Sequence, residues 1–221
     1  MPFTNELVEA VPNALIYGKS GVGKTYSLDT LPKPLFVYNF DLGGMLSLRG
    51  CEGIEYEEFS KLTEFDQDLL KRDFSVYESI ALDSLTTLAD KKMDTLRASA
   101  TSKVPTQQDY LLQMNYIMNI TKYFLDIPTI TVITAHEELM KDELTGQIMG
   151  VPLITGKLKF KLPLFFSEVY HARITRKGGE EKYVFMTKAD SLYQAKSRLA
   201  ARAPIEQFEP QDFNHIWNKE E

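Results

Sequence analysis

Eight residues near the start of the chain, Gly18 to Thr25 (GKSGVGKT), have the types and spacing to hold a phosphate chain. They match G-x-x-x-x-G-K-[ST] at every fixed position and sit between an apolar run and a helical pattern, where such a loop must lie. Glycines let the backbone turn so that successive N–H groups point inward at phosphate oxygens. Lys24 brings a full positive charge to the terminal phosphates. The Thr25 hydroxyl is placed to ligate Mg2+, which bridges two phosphates. The expected ligands are therefore ATP and Mg2+. The expected binding stretch is Gly18, Lys19, Ser20, Gly21, Val22, Gly23, Lys24, Thr25 and Tyr26.

Two acids complete the chemistry. Asp83 ends the apolar run IALD and fits a second metal-binding residue beside Thr25. The residue after it is Ser84 rather than a carboxylate, so another acid must orient the attacking water if hydrolysis is to be efficient. Asp41, in YNFDLGGM, closes the strand that follows the loop and its helix. A carboxylate at the carboxyl end of such a strand faces the crevice where ligands bind in open α/β sheets. It can accept a hydrogen bond from water in line with the terminal phosphate.

These residues need a scaffold that brings several strand ends together. NALIYG (13–18), PLFVYNFD (34–41), YESIALD (77–83) and TITVITA (129–135) read as strands, with IEYEEF (54–59) alternating like an edge strand. KTYSLDTL (24–31) reads as a short helix stopped by Pro32, and KLTEFDQDLLKR (61–72) as another helix. Residues 109–126 place Tyr110, Met114, Ile117, Thr121 and Phe124 on one helical face. EVYHARIT and KYVFMT flank RKGGEE, a hairpin signal. Strands alternating with helices predict an α/β fold with a mostly parallel central sheet, flanked by helices and closed by a C-terminal antiparallel hairpin.

The loop at the start, an acid on the next strand, and IALDSL with no second acid resemble the RecA-type recombinase core of P-loop NTPases. TAHEE (134–138) and AKSRL (195–199) narrow this. The chain is similar to compact phage ATPases made of a RecA core alone, which assist single-strand annealing and recombination. The likeness covers roughly residues 12–208, with 1–12 as an arm, 13–208 as the core and 209–221 as a tail. In RecA relatives the water-polarising acid is usually glutamate, one methylene longer than Asp41. The resemblance implies that His136 senses the terminal phosphate. It implies that Lys196 and Arg198 reach a neighbouring subunit's ATP, where they would stabilise charge on the transferred phosphoryl group. It further implies a homo-oligomer, ring or filament, acting on single-stranded DNA, with an annealing or single-strand-binding protein as a further partner.

The charge distribution bears on that partner. The chain of 221 residues carries a formal charge of −6, yet Leu139 to Arg202 holds twelve Lys or Arg against six Asp or Glu. Attraction to phosphates depends on such local charge. Within it, Lys157, Lys159 and Lys161 alternate with Leu158, Phe160 and Leu162, which in an extended segment sets three ammonium groups on one side. With Lys141 they are the expected DNA contacts. Arg97 and Lys103, in the polar stretch 97–108, form a second candidate loop. A motor or switch acting on protein partners, such as an AAA+-like loader or packaging factor, is the alternative, although little chain follows the hairpin to build a helical lid. The single cysteine, Cys51, excludes an internal disulfide and a thiolate zinc cluster. No apolar run nears the ~20 residues needed to cross a bilayer, and the acidic N-terminus lacks a signal-peptide layout; a cytoplasmic protein is expected.

Overall fold

The computed structural model describes residues 11–98, 100, 104–141, 143, 146–201 and 203–218. Most of the expected arm (1–10), Lys103 and the last three residues of the expected tail lie outside them.

The chain runs β1 (Asn13–Tyr17), α1 (Lys24–Ser27), β2 (Leu35–Asn39), β3 (Ile54–Glu58), α2 (Leu62–Lys71), β4 (Ser79–Asp83), α3 (Leu85–Ala98) and α4 (Gln107–Asp126). It continues with β5 (Ile130–Ala135), β6 (Glu137–Lys141), β7 (Ile148–Pro152), α5 (Leu158–Lys161), β8 (Glu168–Lys177) and β9 (Glu180–Met186). β10 (Lys196–Ser197), β11 (Phe208–Pro210) and α6 (Phe213–Trp217) complete it. The main sheet has the order β11-β9-β8-β1-β5-β4-β2-β3, with β10 added beside β8. From β3 to β8 the pairs are parallel; β8-β9, β9-β11 and β10-β8 are antiparallel. This is the mostly parallel sheet with a closing hairpin that the strand and helix pattern predicts. Gly178 and Gly179, both at positive φ, make the hairpin turn.

Period-two alternation assigns the two faces. Leu15 and Tyr17 of β1 join Phe36, Tyr38, Leu82 and Ile133 beneath α2, α3 and α4. Ala14 and Ile16 point the other way, with Val37, Ala81 and Val132, onto Leu28, Phe213 and Ile216. The central strands are covered on both sides, which is why they read as continuous apolar runs rather than alternating ones. α4 begins at a capping box. The Thr106 hydroxyl accepts from the Asp109 amide, and the Asp109 carboxylate accepts from the Thr106 amide. Ile117, Thr121 and Phe124 of its expected face are buried, while Tyr110 is exposed.

Three segments depart from the sequence reading. The stretch after β5, to which the sequence pattern assigns no element, forms an antiparallel ribbon in which β6 and β7 pair with Glu137 opposite Pro152 and Lys141 opposite Ile148. Its β-branched content is low, so the strand pattern is weak there. Lys157, Lys159 and Lys161 do not lie on an extended segment: Leu158–Lys161 is helical and continues into a 3-10 turn over Leu162–Leu164. At 100° per residue, Lys157 and Lys161 share a side and Lys159 points the other way. Residues 209–217 are not a tail. β11 pairs with β9, and Phe213 and Ile216 are buried against the α1 side of the sheet.

Candidate nucleotide-binding site

Because β1, β2, β4 and β5 are parallel neighbours, the residues that follow them emerge at one edge. Gly18, Asp41, Ser84 and His136 meet there although up to 118 positions separate them in sequence. The Gly18 amide donates to Ala135 O at 3.3 Å, tying the loop to β5. A Cβ on Gly18 would lie 2.4 Å from Ala172 O, so β8 leaves room only for glycine. Gly23 has φ of +90° and packs beneath Tyr183 and Gln211. The Gln211 side chain donates to Val22 O at 2.8 Å, so the C-terminal segment clasps the loop. The loop, Tyr26, Asp41 to Gly44, Ser47, His136 and Tyr183 line a cleft of about 590 Å³.

Lys24 is buried, and its Nζ donates to Gly18 O at 3.0 Å and Lys19 O at 2.8 Å. Burial lowers its pKa, opposed by the charges of Asp83 and Asp41. Phosphate oxygens would take the place of these carbonyls as acceptors. Asp83 is fully buried. Its Oδ2 accepts from the Thr25 hydroxyl at 2.6 Å, and its Oδ1 accepts from the Thr134 hydroxyl. Burial pushes its carboxyl pKa up, against the two hydroxyl bonds. The residues fit Mg2+: two hard oxygen donors, Thr25 and Asp83, stand together beside the phosphate loop, and among the described residues the buried acid's side-chain hydrogen bonds come from hydroxyls. Thr25 would ligate the ion and Asp83 would hold it directly or through water.

Ser84 has a different task from the one its position invites. Its hydroxyl donates to Asp41 Oδ1 at 2.9 Å, and the Thr87 hydroxyl, one turn further along α3, donates to the same oxygen. His136 Nε2 lies 3.2 Å from Asp41 Oδ2. The backbone helps as well: Asp83 O accepts from the amides of Phe40 and Asp41 at 2.6 and 3.3 Å, locking the end of β2 to the end of β4. Burial alone would raise the Asp41 pKa, but the hydrogen bonds from His136, Thr87 and Ser84 outweigh it and hold the carboxyl down at about 2. Asp41 is therefore a fixed, ionised acceptor facing the cleft.

His136 stands where β5 passes into the β6-β7 ribbon. Its amide donates to the Thr86 hydroxyl at 3.0 Å, and that hydroxyl donates to Leu153 O at 2.9 Å. α3 thus grips both strands at the base of the ribbon. Glu137, the next residue, turns away and accepts from or pairs with His171 Nε2 at 2.7 Å.

The remaining expected residues are elsewhere. Lys196 pairs with Val169 and Ser197 with Glu168, and Glu168 lies beside Ala14 at the start of β1. Lys196 and Arg198 therefore sit at the end of the sheet opposite their own chain's loop. Lys141, Lys157 and Lys161 are exposed, whereas Lys159 is buried and bonded to Glu138 Oε2 at 2.5 Å. Arg97 is half-buried on α3. Sequence reasoning missed Thr87, Thr134, Tyr183 and Gln211. Thr87 carried one signal, its place three residues after Ser84 on a helix. The others reach the site only through sheet pairing or from 189 positions away.

Residues 11–199 match the family model AAA_24, described as an AAA domain. The match spans most of the chain, and the protein belongs to this family of P-loop ATPase domains. No curated protein matches it. Two solved archaeal structures are similar. One is the flagellar accessory protein FlaH from Methanocaldococcus jannaschii, 14% identical, covering 90% of this chain and 88% of that one at a TM-score of 0.49. The other is a KaiC-like protein from Pyrococcus horikoshii OT3, 12% identical, covering 81% and 86% at a TM-score of 0.44. At these scores neither adds to what the sheet order and the cleft give directly.

Proposed function

We propose that this chain is a RecA-like, Mg2+-dependent ATP hydrolase in which Asp41 orients the attacking water. The observation that carries the proposal is the Asp41 carboxylate, held by Ser84, Thr87 and His136 and facing the same cleft as Lys24 and Thr25. Mg2+ would neutralise charge on the β- and γ-phosphates. The water oxygen bonds to the γ-phosphorus, the bond to the β–γ bridging oxygen breaks, and ADP departs with that electron pair. Since Asp41 stays ionised, the water's proton passes to a γ-phosphate oxygen, and Asp41 contributes alignment and a hydrogen bond. Steady-state hydrolysis tests this. The wild type should turn over ATP only with Mg2+; a wild type that binds Mg-ATP without hydrolysing it would overturn the proposal.

The partner in this reading is single-stranded DNA, and the role is assistance to recombination or annealing in a phage. Support comes from the excess of basic residues in 139–202 and from the exposed ammonium groups of Lys141, Lys157 and Lys161 near the ribbon that leaves the nucleotide cleft at His136. Among the described residues no helix is long and apolar enough to cross a membrane. ATP turnover measured with and without single-stranded DNA decides the point. Stimulation with salt-sensitive binding supports it. No binding at low salt would leave a motor acting on protein partners.

A further inference from the structure

Two buried polar atoms that lack a partner belong to one contact. Among the described residues, Glu137 Oε1 and His171 Nδ1 are buried with no hydrogen-bond partner. The two side chains are joined through their other atoms, Glu137 Oε2 and His171 Nε2, at 2.7 Å. They are only 5% and 3% exposed. Lys19 Nζ, on the phosphate loop, lies 4.0 Å from Glu137 Oε1, too far for a hydrogen bond. Leaving such groups unpartnered lowers stability. A penalty of that kind retained in a folded chain points to a task other than stability.

The pair sits where the ribbon leaves the main sheet. Ala135, Tyr17 and His171 are register neighbours across β5, β1 and β8. Glu137, two residues past Ala135, reaches His171 across that row. The Tyr17 ring lies against the imidazole at 5.1 Å, and the Tyr193 ring stacks on it at 3.7 Å and 13°. Residues 190–194 are fastened round the same point. The Tyr17 hydroxyl donates to Gln194 O at 2.6 Å, and the Gly150 amide of β7 donates to Leu192 O at 2.7 Å. A Cβ on Gly150 would lie 2.3 Å from the Tyr193 ring, so β7 admits that ring only because glycine stands there. The ribbon base is thus held by α3 on one flank, through Thr86, and by β8 and residues 190–194 on the other.

We propose that Glu137, His171 and Tyr193 are positioning residues for hydrolysis: they fix the base of the ribbon against β8 and so hold the adjoining His136 on Asp41. His136 directly precedes Glu137, and its Nε2 lies 3.2 Å from Asp41 Oδ2. Successive side chains of an extended segment point to opposite faces. His136 therefore faces the cleft while Glu137 faces β8. Thr86 fixes the His136 amide from the α3 side, and the Glu137 bond supplies the second fixed point. None of the three residues lines the nucleotide cleft, so they act through His136. A misplacement of about 1 Å at a group that orients a reactant costs ~10²-fold in rate. The inference rests on the reading of Asp41 as the residue that orients the attacking water.

Steady-state hydrolysis of Mg-ATP by variants of the full chain tests it. Glu137→Ala removes the acceptor, and kcat should fall ~10-fold or more with KM for ATP unchanged. Glu137→Gln keeps a side-chain oxygen that accepts from His171 and should recover most of the lost rate. Gly150→Ala drives the Tyr193 ring off His171 from the other side and should lower kcat in the same way; it carries the test should Glu137→Ala not fold. His136→Asn supplies the background that separates positioning from general damage. In that background Glu137→Ala and Gly150→Ala should cost nothing further, because the residue they position is gone. Losses that add to that of His136→Asn, a rise in KM in place of a fall in kcat, or Glu137→Gln as slow as Glu137→Ala would overturn the proposal. Asp41→Asn at the full wild-type rate would instead strike the reading beneath it, and the proposal with it.

Discussion

Replacing Asp41 with Asn removes a charge while keeping the shape of the neutral acid, so its effect can be worked from the site. The carboxyl pKa is about 2 against an ordinary 3.8. At 1.36 kcal/mol per unit, the folded state gains about 2 kcal/mol from ionising this group. The side chain is only 22% exposed, so solvent screening takes little of that away. A depressed carboxyl contributes fully above its unfolded pKa, and its contribution is lost as pH falls through the folded one. Asp41→Asn should therefore melt lower than the wild type at pH 7, by about 4–8 °C for a domain of this size. The gap should close between about pH 4 and pH 2. In catalysis, a positioned acceptor contributes ~10²–10⁴-fold. A group so weakly basic belongs at the low end, so kcat should fall ~10²-fold with KM for ATP little changed, because the phosphate donors lie on the loop. Calorimetry across pH and steady-state kinetics read the two effects separately. Unchanged kcat would refute the assignment, and a melting gap that persisted at pH 2 would refute the charge argument.

Ser84→Ala combined with Thr87→Val leaves Asp41 with His136 as its side-chain donor, while Lys24 and Asp83 still face it from the loop and from β4. Its pKa should rise, and the acid limb of the kcat–pH profile should move to higher pH; a limb that stays put would show that the hydroxyls do not govern Asp41. Replacing Lys157 and Lys161 by Gln should reduce the salt slope of single-strand binding by roughly 1.4, from about 0.7 per phosphate contact. Lys159→Gln should leave that slope alone, because Lys159 is committed to Glu138; a drop with Lys159 alone would reverse the assignment.

The four strand ends that make the cleft were legible because each chemical residue follows an apolar run. Parallel order then forces Gly18, Asp41, Asp83 and His136 to one edge. The loop motif is local, and local signals survive without tertiary information. What the sequence hid depends on pairing across distance. Thr134 looks like one more β-branched core residue until β5 inserts between β1 and β4 and turns its hydroxyl to Asp83. Gln211 sits in a stretch that reads as tail, yet β11 carries it back to the loop. The lysine alternation misled because period two also occurs in a short helix, and Leu158 and Leu162, four apart, anchor that helix instead.

The account rests on hydrolysis of ATP at the Gly18–Thr25 loop, and the most direct measurement is Mg2+-dependent phosphate release by the wild type beside Lys24→Ala, with ATP binding followed in the same samples. The wild type should release phosphate, and Lys24→Ala should release none while keeping its fold. Equal release from both, or none from a wild type that binds ATP, would contradict it.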